Sequence, residues 1–171
     1  MPLTGREIAE LLELEPHPEG GYYREIYRSD ESLPADALPR RYEGERCTST
    51  AIYYLLTPDT VSALHRLASD EIFHLYLGDP VTMLILHPDG SSETRQLGSD
   101  LAVGQRPVRT VPRNTWFGLF LNDGGAYALL GTTIAPGFEF EDFELANRAE
   151  LLQQYPQRDN LIRRLTWEKD A

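Results

Sequence analysis

The chain has 171 residues, of which 16 are Lys or Arg and 27 are Asp or Glu, for a formal charge of -11, and it has a single cysteine. Such an acidic chain repels phosphate backbones and anionic lipid, so nucleic acid and membrane surfaces are excluded as partners. No apolar run approaches the roughly 18 residues of a membrane span, and the charged opening MPLTGREIAELLELEP is not a secretory signal, so a cytoplasmic protein is expected. The length suits one domain over residues 1–171 with a single substantial core. Cys47 can form no internal disulfide and has no histidine near it in sequence, which reads as a buried structural thiol.

Thr4-Gly-Arg-Glu7 fits a capping box, and Ile8, Leu11 and Leu12 make the apolar stripe of a short helix that must end before Pro16. Gly20-Gly21 then frees the backbone for a sharp turn into a strand over Tyr22 to Arg28. Neither face of that strand is purely apolar, because Tyr23, Glu25 and Tyr27 share one side and Tyr22, Arg24, Ile26 and Arg28 the other. It suits an edge, an interface or a pocket wall. Residues 29 to 48 lack apolar periodicity and read as a surface loop.

Eight short β-rich runs follow: 50–57, 61–67, 71–77, 81–87, 93–97, 108–111, 116–121 and 126–134, with Asp89-Gly90 as a hairpin turn. Without helical patterns between them, they predict an antiparallel sandwich or barrel. Helical spacing over Phe143 to Tyr155, stopped by Pro156, and then Leu161, Ile162 and Leu165 predict a C-terminal helical segment packed outside the sheet. Asp142 and Glu144 are expected at its N-terminus, where exposed amides favour negative charge.

The richest stretch in chemistry is His65 to Gly78. Alternation along 61–67 turns His65 inward with Val61, Ala63 and Leu67. Glu71 opens the next strand, where an antiparallel neighbour can bring its carboxylate beside the imidazole to make an acid-base dyad. His74 lies three residues on, an odd spacing that points it to the opposite face unless a bulge intervenes. Trp116 and Phe117 offer rings either for ligand stacking or for core filling. Arg24 can meet an anionic group or pair with an acidic neighbour.

His65-x5-Glu71-x6-Gly78 resembles the first cupin motif, His-x-His-x3-Glu-x6-Gly. Gly104 to Leu121, with Pro112-Arg-Asn-Thr-Trp-Phe117, resembles the second. His17-Pro-Glu-Gly-Gly-Tyr-Tyr-Arg-Glu, Ser69-Asp-Glu-Ile-Phe-His, Val111-Pro-x3-Trp-Phe and Ala135-Pro-Gly-Phe-Glu-Phe-Glu-Asp-Phe are similar to a branch of single-domain cupins without an assigned function.

The resemblance implies an all-β, antiparallel jelly-roll barrel over about residues 20–140, with helices over about 143–166. It also implies an internal pocket and a homodimer. Metal-binding members place further histidines where this chain has Leu67 and Phe117, so no cofactor is expected, and a weak divalent ion would need His65, Glu71 and His74 together.

The implied function is binding of a small polar metabolite, of sugar or nucleotide-sugar type. It extends to metal-free epimerase or isomerase chemistry with His65 as base and a tyrosine among Tyr22, Tyr23, Tyr53, Tyr54, Tyr76 and Tyr127 as acid. His74, Arg24, Tyr53, Trp116 and Phe117 are the expected ligand contacts. A binding module without turnover and a metal-dependent enzyme remain the two alternatives.

Overall fold

The structure is a computed structural model and describes residues 3–167. Helix α1 (Gly5–Leu11) opens on the expected cap: the Thr4 hydroxyl accepts from the Glu7 amide at 3.2 Å, and Glu7 Oε2 accepts from the Thr4 amide at 2.8 Å. The strands that follow are β1 (Glu15–Pro16), β2 (Tyr22–Arg28), β3 (Ser32–Leu33), β4 (Arg46–Cys47), β5 (Thr50–Leu56), β6 (Val61–Leu67) and β7 (Glu71–Gly78). The chain continues through β8 (Val81–Leu86), β9 (Ser92–Leu97), β10 (Val108–Val111), β11 (Trp116–Leu121), β12 (Ala128–Ile134) and β13 (Phe143–Leu145). Helices α2 (Arg148–Gln154) and α3 (Asp159–Arg164) close it.

Two antiparallel sheets face each other. One has the order β1-β2-β5-β12-β7-β10, the other β13-β6-β11-β8-β9, while β3 and β4 form a small separate ribbon. This is the two-layer closure of a jelly roll, in which both inner faces supply one core. Alternation sorts the strand residues: Met83 and Ile85 join Tyr54, Phe73, Phe117 and Leu130 between the sheets. Leu84 and Leu86 point outward and are covered by Leu151, Tyr155, Ile162 and Leu165 of the C-terminal helical segment. Burial on both faces explains why β8 reads as a continuous apolar run rather than an alternating one. Helix α1 covers the outer side of the first sheet through Ile8, against Leu55 and Leu129.

Two expectations are corrected. The stretch from Phe143 begins as a strand, not a helix: β13 pairs with β6, with Leu145 opposite His65, and α2 starts only at Arg148 behind the Asn147 cap. Asp142 and Glu144 accordingly hold side chains rather than helix amides. Asp142 takes a two-pronged contact from the buried Arg46 at 2.8 and 2.9 Å, and Glu144 accepts from Arg66 at 2.7 Å. The surface segment 29–48 is tied to the barrel by this Arg46 contact and by Arg41 and Tyr42, which bond the Ala68 carbonyl and the Ser69 hydroxyl. Cys47 is a half-buried free thiol whose sulfur lies 3.6 Å from the Ser49 carbonyl.

Candidate functional site

The site grows from a turn. Gly20 and Gly21 both adopt positive φ (97° and 70°), a region open to glycine, and the turn carries Glu19 inward before β2 begins. A Cβ on Gly20 would lie 2.2 Å from the Val61 carbonyl oxygen, so the chain must pass against β6 here. The Ala63 amide donates to the Glu19 carbonyl at 2.8 Å, and the Tyr54 hydroxyl donates to the Gly20 carbonyl at 2.6 Å, which fixes the turn.

Glu19 then meets β6. Its Oε1 accepts from the Ser62 hydroxyl at 2.8 Å and its Oε2 stands 3.2 Å from His65 Nε2, both side chains being buried. On the other side of the ring, His65 Nδ1 is 2.7 Å from the Ala63 carbonyl oxygen. A carbonyl can only accept, so Nδ1 donates to Ala63, and Nε2 on the other side of the ring faces the Glu19 carboxylate, which likewise only accepts. Phe117 packs on the ring at 4.2 Å between centroids and holds its plane.

His17 completes this corner. Its Nδ1 accepts from the Glu19 amide at 3.2 Å and lies 3.6 Å from Glu19 Oε2. Burial holds its pKa below the ordinary histidine value; Glu19 pulls it up and the neighbouring His65 pushes it down further.

Glu71 enters the same cavity from β7, in the opposite sheet. It is 6% exposed, and its Oε2 has no hydrogen-bond partner. Burial raises its pKa to about 8, the charge of Glu19 adds to the rise, and a hydrogen bond with Thr132 opposes it. Glu71 is therefore a neutral acid at pH 7. Tyr54, fully buried, is likewise held well above its ordinary value by burial and then by Glu19, and stays a phenol.

These groups line a cavity of about 280 Å³ that opens to the surface. Its floor holds Glu19, His65, Glu71, Tyr54 and Thr132, and its mouth holds Glu15, Glu25, Arg28, Glu139, Phe138 and Phe140. A register shift in β2 between Glu25 and Tyr27 turns Arg28 to the cavity side with Tyr23 and Glu25.

His65 and Glu71 thus share one cavity, as the sequence suggested, but not as strand neighbours. β6 and β7 belong to different sheets, and the carboxylate at His65 is Glu19. The expected ligand contacts fare differently: none of His74, Arg24, Tyr53, Trp116 and Phe117 lines the cavity. His74 faces outward beside Tyr76, with Nε2 3.4 Å from the Thr133 hydroxyl, as odd spacing from Glu71 requires. Arg24 points to α1, where it binds the Leu12 carbonyl and Glu13. Tyr53 packs against Tyr76 beneath α1, and Trp116 lies under the Arg66 guanidinium beside the helical layer. Phe117 fills the core behind His65. Of the six candidate tyrosines, Tyr23 and Tyr54 reach the cavity.

The donor set does not fit the metal centre of metal-binding cupins. Buried Leu67 and Phe117 hold two of its four positions, and His74 is turned away. Among the described residues, no group of three or more His, Cys, Asp or Glu is arranged to hold a metal ion.

Sequence reasoning passed over His17 and Glu19. The usable signal was an acid set immediately before two glycines, where a forced turn must deliver it against a neighbouring strand.

Over residues 6–146 the chain matches the family described as Cupin superfamily (DUF985). It is similar to the solved structure of protein SO0799 from Shewanella oneidensis, with 36% identity, 98% of this chain and 100% of that chain covered, and a TM-score of 0.88. A hypothetical protein from Leishmania major is similar at 32% identity, with 97% and 100% covered and a TM-score of 0.85. YML079W of Saccharomyces cerevisiae is 29% identical over 153 residues, which make up 83% of this chain and 76% of that protein.

Proposed function

The chain belongs to the cupin superfamily, in the family that its residues 6–146 match, and from that premise we propose that it binds a small polar metabolite inside the barrel and moves a proton on it without a metal. The reaction class is epimerisation or isomerisation of a sugar-like molecule. The observation that carries this reading is the pairing, across one cavity, of a proton acceptor with a proton donor. Glu19 and Ala63 hold the His65 ring by its two nitrogens, so that the His65–Glu19 pair is the proton acceptor, while Glu71 keeps its own proton to about pH 8.

In the proposed step, a C–H proton next to a carbonyl passes to the His65–Glu19 pair and is held between Nε2 and the Glu19 carboxylate. Glu71 donates its proton to the developing oxyanion, the arrangement in which two groups have pKa values driven apart for opposite tasks. Reversal from the other face returns a proton to carbon. Tyr23 and Tyr54 are the phenols in reach of the cavity for that return.

Incubating the protein with monosaccharides in D2O and following deuterium at carbon by NMR tests the reading. Exchange with wild type, cut at least tenfold in His65→Ala, is the expected result. Binding without exchange would leave a recognition module, and the catalytic reading would fall.

A homodimer belongs to the same proposal and is supported by the exposed Ile26 and Tyr27 on β2. Light scattering giving twice the 19.4 kDa chain mass is expected, and a monomer at micromolar concentration would contradict it.

A further inference from the structure

The cavity has a charge pattern that the proton-transfer reading does not need. Among the described residues, five carboxyl groups line it, from Glu15, Glu19, Glu25, Glu71 and Glu139, against one guanidinium, Arg28. That arginine is already spent. Its Nη1 donates to Glu139 at 2.6 Å, its Nε and Nη2 donate to the Glu25 carboxylate at 2.9 Å each, and Nη2 also donates to the Phe138 carbonyl at 3.1 Å.

Among the described residues at the mouth, no cation is therefore free to receive a phosphate or carboxylate, and an anion entering would pass three rim carboxylates to reach Glu19. The chain's charge of -11 opposes the same approach from farther away.

The floor points the same way. Glu71 Oε2 is buried, lines the cavity and lacks a partner, and an orphaned polar atom of that kind is costly unless a bound molecule satisfies it. The Tyr54 and Thr132 hydroxyls line the same cavity, polar partners of the kind that hydroxyl groups on a ligand can match. Ile52, Phe73 and Ile134 provide apolar wall for C–H faces, with Phe138 and Phe140 nearer the mouth. The volume of about 280 Å³ is at the low end of small-molecule sites and suits one small ring inside the barrel.

We propose that the ligand is a small, hydroxyl-rich molecule bearing no phosphate or carboxylate, taken up free and not as its phosphorylated or nucleotide-linked form. The inference rests on the cavity being the ligand site of the preceding subsection. It assigns Glu15, Glu25 and Glu139 as the residues that reject anions, and Glu71 as the group that receives a ligand hydroxyl. It follows that a phosphatase- or glycosidase-type reaction, one that releases a neutral sugar, must supply the substrate.

Equilibrium dialysis at low ionic strength against neutral monosaccharides and polyols, each paired with its own monophosphate, tests the assignment. At least one neutral compound is expected to bind, with its monophosphate at least about tenfold weaker. The gap should narrow when Glu15, Glu25 and Glu139 are all changed to Gln. Raising salt to about 0.5 M should narrow it in the unaltered protein too, which keeps the test independent of how the variant folds.

A monophosphate that binds as tightly as its neutral parent would overturn the proposal, as would failure of every neutral compound to bind. If phosphorylated compounds bind and undergo His65-dependent exchange, the ligand class falls and the proton-transfer reading stands. If no compound of either kind binds, both fall.

Discussion

Glu19 Oε2 stands 3.2 Å from His65 Nε2, although the two residues are 46 positions apart and lie on different sides of a glycine turn. The contact defines what His65 can do. With Nδ1 donating to the Ala63 carbonyl, Nε2 is turned to the Glu19 carboxylate, and a proton taken up by the pair is held between them. Glu19→Gln keeps the size and the Ser62 contact but removes the charge. Proton transfer is expected to fall at least tenfold, about 1.4 kcal/mol of barrier, with ligand affinity within a factor of about three. Equal loss of both, measured as initial rate against dialysis, would make Glu19 a binding group instead.

Glu71 predicts a pH dependence of stability. Its folded-state pKa of about 8 lies above the ordinary carboxyl value of 4.5, so between those values the folded protein holds a proton that the unfolded chain has released. Stability contributed by this group is therefore lost as pH rises through that window, by up to about 1.4 kcal/mol per unit. Glu71→Gln has no such proton to lose. Urea unfolding from pH 5 to 9 should show the variant gaining on wild type as pH rises. A difference that stays constant across the range would contradict the assignment.

Gly20 predicts a backbone effect on the site. At φ 97°, with the Val61 carbonyl 2.2 Å from where a Cβ would stand, alanine must both strain the turn and push it off β6. Gly20→Ala is expected to cost at least about 2 kcal/mol in urea unfolding and to weaken ligand binding along with it, since Glu19 precedes the turn. A loss under about 0.5 kcal/mol would show that the turn adapts.

Most of the barrel was legible from local pattern. The runs from Thr50 to Ile134 sit within one or two residues of the strands because turn residues bracket each of them. Met83 and Ile85 reveal their alternation only once the helices on the outer face are known. Phe143 to Leu145 was misread because two apolar residues at spacing two, followed at once by a helix, fit the tail of a helical pattern as well as a strand. Long-range pairing with β6 decided it. The site was half legible. His65 and Glu71 declared themselves by inward placement and chemistry, but their separation into two sheets, and the arrival of Glu19 between them, depend on topology that no local spacing encodes.

The donor set also predicts metal content. Because Leu67 and Phe117 hold two ligand positions and His74 faces away, dialysed protein is expected to carry well under one equivalent of Zn, Fe, Mn or Ni by elemental analysis. Near-stoichiometric metal that disappears in His65→Ala would show that His17, Glu19, His65 and Glu71 rearrange around an ion.

The central claim is that His65 and Glu71 act as one unit on a molecule held between the sheets. The most direct test is a double-mutant cycle on deuterium exchange at the substrate carbon. The account predicts at least a tenfold loss, about 1.4 kcal/mol, for His65→Ala and for Glu71→Gln separately, and a double variant little slower than the poorer single one. Fully additive losses, or wild-type exchange in either folded single variant, would contradict it.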